Sequence, residues 1–550
     1  MNRTAFLIAL MASTTFATAA QSASFVPYNS PAAPMFKGAA GVSVNPLITV
    51  GETLPNGFQP TGIFDGIGAF SLNATTVRVL VNSELGSTSG KSYAVSNGAG
   101  GSVSLTGARV SYFDIDKASR GIIDAGIAHT EIYDRLGNIV TNATQIGGGF
   151  NRLCSSAAFE ANSFGAGKGI ADRIYFAGEE AGNGTMWAID TGTGHTWAVP
   201  AMGYGSWENA TQIDTGTPNK VAFILGDDSG GAPLYLYVGE KNAVGDGSFL
   251  DRNGLVSGKL YAWKADGGDV DPSTFNGSVG ADNRSGSWIE VTVKDAAKAG
   301  MPGYDAQGYA LASTLQNQAE ALGAFNFSRP EDVATNPADG TLVALASTGR
   351  DSLFGGADSW GTVYTIDTDF DASGNPTGAD VKIVYDGDAD PNRALRSPDN
   401  LDWRSATELL IQEDRSTDWA SAFAANPNEA GVLSLLLNGT LNTIARIDPT
   451  ALPFGQTDGC AGDVGCWESS GILDVSALFG AAAGSLFLAD VQAHGVSLGS
   501  KDLGEGGQLA FLSLGSAVPE PALWVQMIAG FGVVGAAMRR HRQKLPSVLA

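Results

Sequence analysis

The sequence predicts an all-β fold, a β-propeller of six blades with loop insertions. Three observations lead there. Glycine makes up 73 of the 550 residues without a Gly-X-Y period. At that density it works against long helices, at a cost of roughly 1 kcal/mol per helical site. Short apolar runs recur between residues 75 and 515, bounded by Gly, Asn, Asp and Pro, as strands are. Several are followed by Gly and a second run that reads as an outer hairpin partner, and roughly six such units fit the length.

In chain order the runs are Thr76–Glu84, Arg173–Glu180, Val221–Asp228, Leu342–Thr348, Glu408–Asp414 and Ser485–Asp490. The apparent outer partners are Met186–Asp190, Pro233–Gly239, Gly361–Asp367 and Gly507–Leu514. A pair of large β-sandwiches is the competing architecture. In a propeller the inner strands flank one channel, so acids at equivalent strand ends converge there. Converged carboxylates repel one another unless cations neutralise them, so the spacing predicts a metal cluster. Two acidic loops read differently. Asp367–Gly374 starts like an EF-hand, but Gly falls at its eighth position and the twelfth is Gly378, which excludes that motif. Asp386-Gly387-Asp388-Ala389-Asp390 reads as a solvated turn. No HExxH or Walker pattern occurs in the mature region.

Charge narrows the function further. There are 56 acids against 32 bases, a net of −24, and such a surface repels nucleic-acid phosphates. Only His129, His195, His494 and His541 are present, so His-rich metal sites and most histidine acid–base chemistry are excluded. Any metal site must rest on carboxylates, which favour hard cations such as calcium and magnesium. Cys460 and Cys466 enclose a short Gly-rich loop, and a disulfide between them is the simplest pairing. Cys154 is left over, either as a small buried apolar group or as a thiol with a role.

The ends carry targeting signals. Residues 1–23 hold Arg3, the apolar run Ala5–Ala12 and Ala17-Thr18-Ala19, the pattern of a secretory signal peptide. At the other end Val518-Pro519-Glu520-Pro521 and Trp524 lead into the uncharged stretch Ala522–Met538, closed by Arg539, Arg540 and Arg542. That stretch is at the short limit of a membrane span, with its arginines kept cytoplasmic. The whole resembles a PEP-CTERM sorting signal. The resemblance implies exosortase-type machinery in a Gram-negative envelope, with the protein in the periplasm, on the outer surface or in the extracellular matrix. The expected organisation is a signal peptide at 1–23, a propeller at 24–515 and a sorting and transmembrane segment at 516–550.

The remaining motifs carry chemistry. They are Arg152-Leu153-Cys154-Ser155-Ser156, Gly178-Glu179-Glu180, Ser206-Trp207-Glu208-Asn209, Gly226-Asp227-Asp228, Arg329-Pro330-Glu331-Asp332 and Ser397-Pro398-Asp399-Asn400. Together they resemble the PhoX-type alkaline phosphatases, calcium- and iron-dependent phosphomonoesterases on a six-bladed propeller. The resemblance implies that Glu208, Glu331 and Asp399 bridge iron and calcium. It makes Cys154 the iron thiolate and places Glu179 and Glu180 in the calcium set. Arg329 and Glu331 become the catalytic residues, with Arg329 gripping the substrate phosphate through its planar fork. Phosphate-ester small molecules are the implied substrates. The Ser-Ser-Ala-Ala-Phe stretch after Cys154 departs from the family pattern, and the leader lacks a twin arginine; both bear on iron more than on calcium. Asp490 and His494 read as structural. One rival is a catalytically silent calcium-binding propeller with a surface or matrix role. Another is a calcium-only hydrolase of a lactone or phosphodiester.

Overall fold

The computed structural model describes residues 25–276, 283–415, 423, 426–453 and 455–515. The expected signal peptide and sorting segment lie outside them. Strand makes up 47% of the structure and helix 7%, so the chain is all-β. Six strands stand next to the axis: β1 (Phe64–Ser71), β2 (Leu153–Phe159), β3 (Gly205–Ile213), β4 (Pro330–Asn336), β5 (Pro398–Ser405) and β6 (Glu468–Asp474). Each touches the next, and β6 touches β1, so they make a ring.

Each of these strands begins an antiparallel group that steps outward. Thr76–Ser83, Arg109–Asp116 and Ile122–Ile127 stand behind β1. Ile174–Gly184, Met186–Asp190 and His195–Ala198 stand behind β2. The group of β3 continues with Lys220–Asp227, Tyr235–Glu240 and Gly258–Ala265, and that of β4 with Asp339–Ser347, Thr362–Phe370 and Pro376–Asp386. Behind β5 come Glu408–Glu413, Gly431–Leu436 and Leu441–Ile447. Behind β6 come Leu486–Ser497 and Glu505–Leu514, and then Val42–Thr49 from the other end of the chain. The last pairing runs from Val42 opposite Leu514 to Thr49 opposite Gln508. It closes the β-propeller with main-chain hydrogen bonds and removes an open sheet edge.

The core divides in the same way. A hydrophobic cluster fills each interface between neighbouring groups, the last lying between Leu509 and Phe511 of the β6 group and Val79 and Phe113 of the β1 group. Second strands are therefore buried on both faces. Phe223 packs with Phe176 on one side, while its neighbour Ile224 packs with Val343 and Tyr364 on the other. Double burial produces a continuous apolar run rather than an alternating one.

That explains a correction. The six apolar runs expected to lie innermost are the second strands from the axis. The innermost strands are not among the apolar runs, because the crowded ring admits small and polar residues: a Cβ on Gly66 of β1 would collide with the Ser156 main-chain nitrogen of β2.

Candidate metal centre

One backbone device recurs around the axis. Phe64 pairs with Ser83, Leu153 with Glu179, Trp207 with Asp227, Pro330 with Ser347 and Pro398 with Glu413. Each ladder bulges immediately afterwards. A bulge re-aims the side chains beside it. Asp65, Cys154, Glu208, Glu331 and Asp399 are the re-aimed residues on β1 to β5. The residue after each of these second-strand partners is held beside them by one main-chain hydrogen bond. The N–H groups of Glu84, Glu180 and Asp228 each donate at 2.8 Å to the carbonyls of Ile63, Arg152 and Ser206. Thr348 N donates to Arg329 O at 3.0 Å, and Asp414 N to Ser397 O at 3.1 Å. The sixth group brings Glu468 and His494 to the same pocket.

Four of those carbonyls belong to left-handed residues, with φ of 53° at Ile63, 49° at Arg152, 62° at Arg329 and 44° at Ser397. Such backbone costs about 1–3 kcal/mol per residue and persists where the surroundings over-determine it. Arg152 shows how: its N–H donates to Leu85 O at 2.9 Å while its carbonyl accepts from Glu180. The glycines of the Gly-Glu-Glu and Gly-Asp-Asp motifs also have a steric reason. A Cβ at Gly178 would strike the Trp207 carbonyl, and one at Gly226 would strike the Glu331 carbonyl. Glycine lets the next innermost strand approach at the residues that carry Glu208 and Glu331.

The result is an acidic pocket of about 320 Å³ at one end of the axis. Three sets of ligand atoms there lie within 4.8 Å of one another: Asp65, Glu84 and Cys154; Cys154, Glu180 and Glu208; Glu208, Glu331 and Asp399. They share Cys154 and Glu208, so they form a chain. Burial, reinforced by neighbouring acids, pushes Asp65, Glu208 and Asp399 well above the usual carboxylate range. Burial also raises Glu331 well above that range, against the pull of Arg329. The Cys154 thiol is raised by burial and then by Glu208. Burial and Asp228 push Glu180 up to about 8. So many acids sharing one enclosure call for bound positive charge. Asp399 Oδ1 is buried and meets no hydrogen-bond donor among the described residues. A carboxylate-rich set with one sulfur fits hard cations plus one thiolate-bound metal.

Cationic side chains frame the acids. Arg329 donates from Nε and Nη2 to both Asp228 oxygens at 2.8 Å, and its Nη2 lies 2.7 Å from Glu331 Oε1. Burial alone would raise Asp228, but the Arg329 charge holds it below the usual range. His494 lies between Glu505, 2.7 Å from Nδ1, and Glu468, 3.3 Å from Nε2. Those two carboxylates hold the ring charged against the cost of burial. Below the pocket Asp332 ties the ring together, accepting from Ser155 Oγ of β2 at 3.0 Å, Leu401 N of β5 at 2.8 Å and Asn209 of β3.

The family model described as alkaline phosphatase PhoX matches residues 131–451, more than half of the chain. The chain belongs to the PhoX alkaline phosphatase family. Pseudomonas fluorescens PhoX, solved in complex with vanadate, a transition state analogue, is 17% identical. The two superpose with a TM-score of 0.58 over 90% of this chain and 98% of that one. The Dos1 propeller (10% identical, 86% and 96% covered) and Sqt1 from Chaetomium thermophilum (10% identical, 83% and 97% covered) have TM-scores of 0.28 and 0.31, too low to carry an argument. No curated protein matches the chain.

Of the residues the PhoX resemblance singled out, Cys154, Glu180, Glu208, Arg329, Glu331 and Asp399 all line the one pocket. Glu179 does not. Its side chain turns to the neighbouring surface and accepts from Asn151 N at 3.0 Å and Thr185 N at 3.1 Å. Successive residues of a strand point to opposite faces, so Glu179 and Glu180 part company. A disulfide joins Cys460 and Cys466, and Cys466 lines the pocket. Cys154 is free and buried. The acidic turn at Asp386 is a hydrogen-bonded turn, with its Oδ1 accepting from Asp388 N at 2.9 Å and from Ala389 N. Glu84, Asp228 and Asp414, which end three of the apolar runs expected to bring acids together, also line the pocket, although no individual role was assigned to them. Sequence reasoning missed Asp65 and Glu468 and set His494 aside as structural; these three line the pocket too.

Proposed function

We propose that this PhoX-family chain is an exported phosphomonoesterase built on six blades, with calcium and iron held in the shared chain of acids and Cys154. The observation that carries it is the fusion of three ligand sets through Cys154 and Glu208 beside a fixed arginine. Glu208, Glu331, Asp399, Glu180, Asp65 and Glu84 would hold the cations, with Cys154 as the iron thiolate. When bound, the cations supply positive charge for phosphoryl oxygens and make a nearby water more acidic.

The chain's own residues supply the rest. Asp228 fixes the Arg329 fork before substrate arrives, so its positive charge needs no reorganisation as charge builds on phosphorus. Burial keeps that charge poorly screened. His494, clamped by Glu468 and Glu505, adds a fixed positive charge on the pocket wall supplied by the sixth group. Six innermost strands in a ring support the count of six blades. Export rests on the leader at 1–23 and sorting by exosortase-type machinery on the segment at 516–550. The Cys460–Cys466 disulfide suits an oxidising compartment.

One observation favours the silent calcium-binding propeller: Arg329 already has Asp228 and Glu331 as partners. Metal analysis and activity separate the two readings. Purified without chelator, the protein is expected to carry calcium, with iron at Cys154, and to hydrolyse p-nitrophenyl phosphate in added calcium. Arg329→Ala and Glu331→Ala should each lower that rate a hundredfold or more. Bound calcium with no phosphatase activity would hand the lead to the silent scaffold, and absence of metal would sink both.

A further inference from the structure

Arg152 and Arg329 stand at the same step of two strand groups, two residues before Cys154 and Glu331, and both are left-handed. Their side chains differ. The Arg329 side chain is 10% exposed and its fork is closed on Asp228. The Arg152 side chain is 48% exposed at the pocket rim. Its Nε donates to Glu180 Oε2 at 2.8 Å, and its Nη2 lies 2.7 Å from Glu84 Oε1 and also meets Glu180. Its Nη1 meets no acceptor among the described residues. Glu84 and Glu180 belong to the two ligand sets that share Cys154, so this guanidinium straddles both.

We infer that Arg152 captures the phosphoryl dianion at the mouth of the pocket and makes the site selective for phosphate monoesters over diesters. The inference rests on the phosphatase reading. A phosphate dianion approaching this pocket faces a wall of carboxylates. It needs a cation at the rim, and Arg329 cannot serve there without leaving Asp228. Arg152 has the exposure, and a guanidinium offers five N–H donors of which the two on Nη1 are unused. A carboxylate that binds a cation holds Arg152 less tightly, which frees more of the fork for a bidentate grip. A diester carries one negative charge fewer, so it gains less from a second arginine.

The test uses the full metal-loaded protein and the variants R152A and R152K, with inorganic phosphate as the calorimetric probe. R152A is expected to bind phosphate at least tenfold more weakly with its calcium content unchanged, and added guanidinium should recover part of the binding. Its KM for p-nitrophenyl phosphate should rise, and the ratio of monoester to bis(p-nitrophenyl) phosphate hydrolysis should fall. Phosphate affinity within twofold of wild type would overturn the inference. If R152A loses calcium or fails to fold, R152K decides: weaker phosphate binding at full calcium supports capture by the fork, and unchanged binding overturns it. A wild type without phosphatase activity would refute the underlying reading, while the phosphate titration would still judge Arg152 by itself.

Discussion

The main-chain N–H of Glu180 donates to the Arg152 carbonyl at 2.8 Å, and Arg152 Nε donates back to the Glu180 carboxylate at 2.8 Å. Backbone and side chain thus lock one acid of the pocket from both directions. Burial and Asp228 push Glu180 up to about 8, so its negative charge is disfavoured when no cation is bound. Glu180→Gln should therefore leave the melting temperature of chelator-treated protein within a few degrees of wild type. Calcium affinity should nonetheless fall tenfold or more. Thermal melts with chelator and a calcium titration check the two halves.

The free thiol gives a second outcome. Cys154 is buried, with its Sγ 3.1 Å from Glu180 Oε2, while the other two cysteines are bonded to each other. Thiol titration of denatured, non-reduced protein should count one per chain, and the native protein should react far more slowly. Two unreactive partners and a blocked Cys154 would refute the assignment.

Gly226 offers a steric test that changes no charge. A Cβ there meets the Glu331 carbonyl, and backbone cannot swing aside as a side chain can. Gly226→Ala should cost about 1–3 kcal/mol of stability, as overpacking does. It should also reduce activity by displacing Glu331. Denaturant unfolding and the phosphatase assay read the two effects.

His129 supplies a pH dependence away from the metal ligands. Val110 N donates to its Nε2 at 3.0 Å and Nδ1 lies 2.9 Å from Thr196 Oγ1, so the neutral ring is the one that fits. Burial, with Arg109, lowers it from 6.5 to about 3. The folded value lies below the unfolded one, so the unfolded chain binds the extra proton. Its contribution is intact above pH 6.5 and is lost as pH falls toward 3. Between pH 6.5 and 5 the loss is about 2 kcal/mol. Because the pocket acids shift stability the other way, the comparison is with His129→Gln, whose deficit against wild type should shrink by that amount over the same interval.

The buried pair behind Asp399 should be costly to break. Arg396 and Glu413 have fully buried side chains, joined at 3.2 Å, with Arg446 also on Glu413. Arg396 further donates to Phe423 O at 2.7 Å and Asn428 O at 2.9 Å. Glu413→Gln leaves Arg396 charged and poorly compensated, at about 3–5 kcal/mol. Because Glu413 pairs with Pro398, calcium binding through Asp399 should weaken too.

Much of the site was legible in local motifs. Cys154, Glu208, Arg329, Glu331 and Asp399 stand beside Pro, Ser or Trp in recognisable stretches, and the structure gathers them. Glu179 was mistaken because adjacent identical acids carry no sign of which face each takes. Asp65 was invisible because Phe-Asp-Gly on β1 looks like any turn. Its neighbour on the pocket wall, Glu84, reaches it only across a long-range strand pairing.

By itself the sequence determined the all-β class and the carboxylate character of the site. These follow from composition and from apolar runs buried on both faces. Only the tertiary structure decided which strand of each group is innermost and which acids share an enclosure. It alone showed that one arginine is locked inside while another is exposed at the rim. Those outcomes depend on bulges, left-handed steps and ring closure, whose hydrogen bonds join residues far apart in the chain and leave no local pattern.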